Sequence, residues 1–189
     1  MPIGSIAICS RALLKLGATS ISSFDEGTAE AEVAANLYPS TRDAMLAVYP
    51  WSFAVAQTTL PKLAASPVAD FKNAFKLPSD FLRIISAGIG NRGRGINYRI
   101  VENRLHTDSD SVNLTYIFRP DEKSFPPYFT QVLIARLAAE FCIPLTESTT
   151  RSDVLTKMAE EEFKRARLID AQQESPKCFE DYSLVEVRK

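Results

Sequence analysis

A glycine run, an acidic turn and a single histidine are the places where this chain could carry chemistry. Gly88, Gly90 and Gly93 have the spacing of a dinucleotide-binding fingerprint and follow an apolar run. That fingerprint works only when a helix N-terminus comes next, so that its free N–H groups face a pyrophosphate. Here Ile96, Tyr98 and Ile100 alternate with other residues, which predicts a strand, so the glycines are expected at a hairpin tip. Glu102, Asp108 and Asp110 are the carboxylates a glycoside hydrolase would need as an acid and base pair. Nothing in their surroundings pushes their pKa values apart, and Asp108-Ser-Asp-Ser111 has the composition of a turn. As a calcium loop it fails, because Val112 falls on a ligand position and no suitably spaced Glu follows.

His106 is the sole histidine. A Ser-His-Asp or Cys-His site would have to use it, yet no GxSxG elbow supplies the nucleophile. One His and three scattered cysteines, Cys9, Cys142 and Cys178, make zinc implausible. The expectation is no catalytic residue, no metal and no cofactor, with His106 facing solvent from a strand. Arg92 and Arg94, in Asn91-Arg-Gly-Arg-Gly95, are the remaining candidates. Two arginines on a glycine loop can meet phosphates without reading bases. Arg99 is the third basic residue grouped with them as a candidate contact. Glu160, Glu161 and Glu162 among Lys157, Lys164, Arg165 and Arg167 are expected to form a solvated helix face, with a subunit interface as the second use, and with Lys157, Glu161 and Arg165 in step four apart.

Bulk properties narrow the class. The chain has 189 residues, is 46% hydrophobic and has a net charge of -1. Such a chain can bury an independent core, and its net charge does not argue for nucleic acid or membrane as a global partner. Charge is nonetheless segregated. Residues 18–32 carry Asp25, Glu26, Glu30 and Glu32 without a base, whereas residues 83–104 carry five arginines against Glu102. No stretch approaches the roughly 18 consecutive apolar residues of a membrane helix. Residues 1–17 lack the pattern of a secretory leader, and an odd, scattered set of cysteines suits a reducing cytoplasm.

The elements that must position these residues follow from periodicity. Ile6, Cys9, Leu13 and Leu16 predict a first helix over 3–16 that Gly17 ends. Ser23 and Glu26 have capping-box spacing. Val33, Leu37, Ala44 and Val48 stay in phase across Pro39, which predicts one kinked helix over 29–49. From 54 to 119 the period falls to two. Strands are expected at 54–60, 81–86, around 96–100 and at 112–118, with 61–78 as a long connection. Tyr128–Ile143 is apolar around most of its circumference and reads as a buried helix that Pro144 stops. A last helix over 151–173 carries a stripe of Leu155, Met158, Ala159, Phe163, Ala166 and Ile169.

Helices and strands are segregated, which predicts an α+β fold: a four-helix bundle-like domain (1–53 and 120–174) with an antiparallel β insertion (54–119) between helices 2 and 3. The expected core comprises Leu13, Val33, Leu37, Val48, Trp51, Leu133, Leu137, Phe141, Leu155 and Phe163. An extended tail (175–189) offers Phe179, Tyr182, Leu184 and Val185 as apolar anchors for docking on another protein surface.

Several segments, in order, resemble the tail tubular protein A family, the head-to-tail adaptors of short-tailed bacteriophages. Tyr49-Pro-Trp-Ser-Phe-Ala54 is similar to the family's turn after its long helix, and Leu77-Pro-Ser-Asp-Phe-Leu-Arg83 to its strand entry. Tyr98-Arg-Ile and Leu105-His-Thr-Asp108 resemble its paired strands, and Tyr116-Ile-Phe-Arg119 precedes the return to helix. Leu137-Ala-Ala-Glu140, Pro144-Leu-Thr146 and Ala166-Arg-Leu-Ile-Asp-Ala-Gln-Gln173 resemble its last two helices. The resemblance spans residues 3–173 and implies a virion protein made in the host cytoplasm. It would form a homo-oligomeric ring, commonly a dodecamer, between the portal protein and the tail nozzle protein (tail tubular protein B), with double-stranded DNA passing through. In such a ring Arg92, Arg94 and Arg99 would face the DNA channel or a neighbouring ring, and Phe179, Tyr182, Leu184 and Val185 would dock on the portal or a neighbouring subunit. The competing expectations are a virion-associated glycan hydrolase, which needs two carboxylates in one cleft, and a free DNA-binding protein, which needs a basic face.

Overall fold

The computed structural model describes residues 3–90 and 92–173. Among the described residues the chain is α+β, with four α-helices and two small antiparallel sheets. Helix α1 (Ser5–Leu16) ends at Gly17, whose φ of 70° is cheap only without a Cβ. Helix α2 (Ala29–Val48) starts on Thr28, whose side chain accepts from the Ala31 N–H. The expected capping box is therefore displaced. Glu26 instead accepts from the N–H and hydroxyl of Ser22 and from the Ser23 N–H, closing a loop ahead of the helix. These bonds hold its carboxyl below the usual range. Pro39 lies within α2 and the helix runs through it.

Helix α3 (Pro127–Thr146) is central, packing on α1, α2 and α4 (Thr149–Ala171). It is the one helix among the described residues long and apolar enough to cross a bilayer, and 61% of its most apolar window is buried inside the protein. Pro144 does not stop it. The helix continues only two residues past it, to Thr146, whose hydroxyl donates to the Cys142 carbonyl at 2.6 Å. Glu147, at φ 53°, ends the helix.

Sheet A runs β1 (Val55–Thr59), β6 (Asn113–Phe118), β3 (Phe81–Gly88), and sheet B runs β2 (Asn73–Lys76), β5 (Arg104–Thr107), β4 (Tyr98–Val101). The β4–β5 hairpin closes on Glu102 and Asn103, at φ 49° and 59°, the two-residue turn whose twist suits paired strands. Strand β2 lies inside the stretch 61–78 expected to be a connection. Its four residues, two of them buried, are too few to set a period against the flanking Ala, Pro and Lys.

Two buried clusters result. The first joins the helices around Leu13, Trp51, Leu133, Leu137 and Phe141, and the second joins the sheets around Phe75, Leu105, Leu114 and Tyr116. Ile117, on the opposite face of β6 from Tyr116, belongs to the helical cluster, so sheet A is shared between the two.

The stripes on α2 and α4 differ from expectation. Val48 is 57% exposed, and Val33 and Leu37 are half-buried, because the inward face of α2 is Ala31, Ala34, Tyr38 and Leu46. On α4 the buried line is Ser152, Ala159, Ala166 and Asp170, flanked by half-buried Leu155 and Phe163, while Met158 and Ile169 point outward. Small and polar residues win the inner positions because α3 lies close, and Asp170 has partners waiting there.

Those partners are Ser52 and Tyr128. Asp170 accepts from the Ser52 N–H, from its hydroxyl at 2.8 Å and from the Tyr128 hydroxyl at 2.7 Å. Burial, reinforced by this bond, pushes Tyr128 up to about 12. An unfolded tyrosine titrates near about 10, so the folded state holds this proton more tightly. The stability linked to it is intact below the unfolded value and is lost as pH rises toward the folded one. We expect the phenolate absorbance that disappears in Tyr128→Phe to develop near the higher value. A step at the ordinary tyrosine pKa would contradict this assignment.

Candidate functional site: the arginine and glycine loop over sheet A

The connection from β3 to β4 folds back on sheet A instead of making a hairpin tip. Strands β3 and β4 belong to different sheets, so the connection crosses between layers. Ile96 N–H bonds to the Ala87 carbonyl, and the Asn113 side chain donates to the Gly90 carbonyl. The glycines have distinct duties. A Cβ on Gly88 would fall 2.0 Å from the Arg92 carbonyl oxygen and 2.4 Å from the Arg94 nitrogen, and one on Gly93 would press on Thr115 Oγ1 at 3.0 Å. Close backbone approach, not phosphate binding at a helix, explains the fingerprint spacing: a strand, β4, comes next in the fold, without a helix between.

Beneath the loop lies a polar bed. Gln57 donates to Thr115 and Thr59 to Asn113, each pair facing across β1 and β6. An open concavity of about 810 Å³ is lined by Ser52, Gln57, Ser86, Gly93, Arg94, Thr115 and Asp170. A second, of about 280 Å³, is lined by Gln57, Thr59, Gly90, Arg92 and Asn113. Arg92 and Arg94 are exposed on the rims of these adjoining hollows. The site can offer two guanidinium groups and several neutral donors to an anion or to another protein's acidic edge.

Arg99 is not part of it. It stands on β4 of sheet B, ion-paired with Asp70 at 2.7 Å. The three candidate carboxylates are each otherwise occupied. Glu102 is in the hairpin turn. Asp108 accepts from the Lys72 N–H. Asp110 pairs with Lys62 at 3.0 Å, and that bond and charge hold its carboxyl below the usual range. His106 is half-buried, between buried Leu105 and Thr107, and so is less open than expected. Among the described residues no three His, Cys, Asp or Glu side chains gather as a metal site. Cys9 and Cys142 are buried free thiols, and burial pushes Cys9 up to about 12. On α4 the ion pairs are Glu161 with Lys164 and Glu162 with Arg165, three apart, in place of the fourfold ladder expected. Phe179, Tyr182, Leu184 and Val185 lie outside the described residues.

Asp170 is the site residue that periodicity alone passes over. Its signal was present: an acid four residues after Ala166, on the buried stripe, where an ionised group needs partners.

No protein-family model matches the chain, and no curated protein matches it.

Substitutions separate the loop's frame from its arginines. Gly88→Ala should lower stability by roughly 1–3 kcal/mol, the usual cost of forcing extra volume into a packed site. Arg92→Ser with Arg94→Ser should stay within about 0.5 kcal/mol, as exposed changes do. Urea unfolding of both proteins checks the pair, and an equal loss in the two would mean that the arginines hold the loop.

Proposed function

We propose that this protein is a structural ring subunit, a head-to-tail adaptor of the tail tubular protein A type, seated between a portal and a tail nozzle with DNA passing through. In this reading helices 3–49 and 125–173 make one bundle, and the strands of 54–119 are an insertion on one side of it. Sequence resemblance supplies the family, and the surface of α4 supplies the physical support.

The observation that carries the reading is the outward face of α4. Val154, Met158 and Leu168 are 54%, 58% and 68% exposed. With Glu161 and Arg165 between them they repeat at steps of four and three, the period of one helix face. That face is opposite the line of Ser152, Ala159, Ala166 and Asp170 that packs inward. Three exposed apolar side chains along one line of the helix, with Glu161 and Arg165 between them, give a second protein both apolar and charged groups to meet. Leu14 on α1 and Ile143 on α3 are also exposed, at 62% and 52%. A heterologous contact, with different patches on the two partners, closes into a ring when its rotation permits. The separated acidic and basic segments suit such a contact.

Localisation in the virion, a dodecameric state, portal and nozzle partners and docking by residues 175–189 belong to this proposal. The hydrolase alternative receives no support from Asp108 and Asp110, whose bonds to Lys72 and Lys62 describe a braced turn.

Met158→Glu with Leu168→Glu tests the outward face. The double variant should unfold at the wild-type temperature but stay monomeric by light scattering under conditions where the wild type assembles, and portal particles should not recruit it. Assembly at wild-type levels would remove this face from the interface.

A further inference from the structure

The outer face of sheet B carries a charge arrangement that the rest of the fold does not use. Lys76 on β2 is directly opposite Arg104 on β5, and His106, two residues along β5, is opposite Arg99 on β4. Directly opposed residues of an antiparallel pair share a face, with Cβ atoms about 5 Å apart. Ala74, Lys76, Arg104, His106, Arg99 and Val101 therefore share one side of the sheet. The other side buries Phe75, Leu105 and Thr107. Lys76 and Arg104 are exposed, and among the described residues neither has a carboxylate within ion-pair range. Like charges set opposite each other across strands weaken a sheet, so this pair costs the isolated chain stability and returns nothing to its fold. Beside it is a hollow of about 280 Å³, lined by Arg99, Arg104, His106, Ala74 and the 65–71 loop. Two acids belong to this surface: Asp70, already paired with Arg99, and Glu102 in the turn.

We infer that this face binds the phosphate backbone of double-stranded DNA. The patch measures roughly 10 by 7 Å from the strand spacing and rise. Along each strand duplex DNA presents one negative charge per about 3.4 Å of axis, so a patch of that size can meet two or three phosphates at once. The contact reads no bases, because bonds from cations to phosphates position a duplex without carrying sequence information. The inference deepens the channel reading, on which it rests for the source of the phosphate, and it shifts the DNA contact from Arg92 and Arg94 to Lys76, Arg99 and Arg104.

The test uses the free full-length protein, without portal, so ring assembly does not enter the result. Fluorescence anisotropy with a labelled duplex at several salt concentrations should show sequence-independent binding. The logarithm of affinity should fall against the logarithm of salt with a slope of roughly -2 to -3, for two to three neutralised phosphates. Lys76→Thr with Arg104→Thr should lose at least tenfold in affinity and flatten that slope by about 2. Its thermal midpoint should equal or exceed that of the wild type, since the opposed charges are gone. Arg92→Ser with Arg94→Ser should bind like the wild type. The inference is overturned if the wild type does not bind at low salt, or if the Lys76 and Arg104 variant binds unchanged. It is equally overturned if polyglutamate competes as well as duplex, which would make the face a site for acidic protein.

Discussion

Everything in this fold hinges on the turn between α2 and β1. Trp51 is fully buried, and its indole N–H donates to the Met45 carbonyl at 2.9 Å, tying the turn back to the helix it leaves. Tyr49, Phe53, Tyr128, Phe129 and Phe163 surround the ring, several of them edge-on. Such pairings add to the area that a large aromatic removes from water. One residue on, Ser52 hands its N–H and hydroxyl to Asp170 near the end of α4. A carboxylate near a helix C-terminus opposes the helix dipole, and burying it costs more. Three donors directed at it offset that cost, so α2, α3, α4 and the entry to sheet A are held at one point.

A second junction holds the end of β6. Arg42 bonds Asp43 and Glu122, Glu122 accepts from the Tyr38 hydroxyl, and Arg119 reaches Asp43 from the end of β6. Strand β6 is also paired along both sides, with β1 and with β3. It gives Leu114 and Tyr116 to the sheet cluster and Ile117 to the helical one. The polar bed of Gln57, Thr59, Asn113 and Thr115 under the glycine loop occupies the part of sheet A that neither cluster covers. The sheet's two-faced burial thus determines where the loop can rest and where its arginines are presented.

Element type was readable from the sequence wherever periodicity was long and unbroken: α1, α2, α3, α4, β3 and β6 all follow from it. Side-chain direction was less readable. Val33, Leu37 and Val48 on α2 and Met158 and Ile169 on α4 satisfy an apolar pattern, yet the inner positions go to Ala34, Ala159 and Ala166, because close helix approach selects for size as well as polarity. Hydropathy ranks Met158 above Asp170, and only tertiary partners reverse that order. Strand β2 was hidden for a related reason, since four residues inherit their conformation from β5. The glycine loop was readable as a loop but not as a crossover, because spacing does not say which sheet the next strand joins. Arg99 was grouped with Arg92 and Arg94 by proximity in sequence, and the crossover separates them.

The central claim is that this chain is built to assemble, with the outward face of α4 as a subunit contact and the arginine loop and basic sheet left for other partners. Electron microscopy of the purified protein mixed with portal particles tests it most directly. The account predicts closed rings, or a ring of added density on one face of the portal, with α4 at the boundary between neighbouring subunits. Bare portals beside a protein that remains monomeric at high concentration would contradict it.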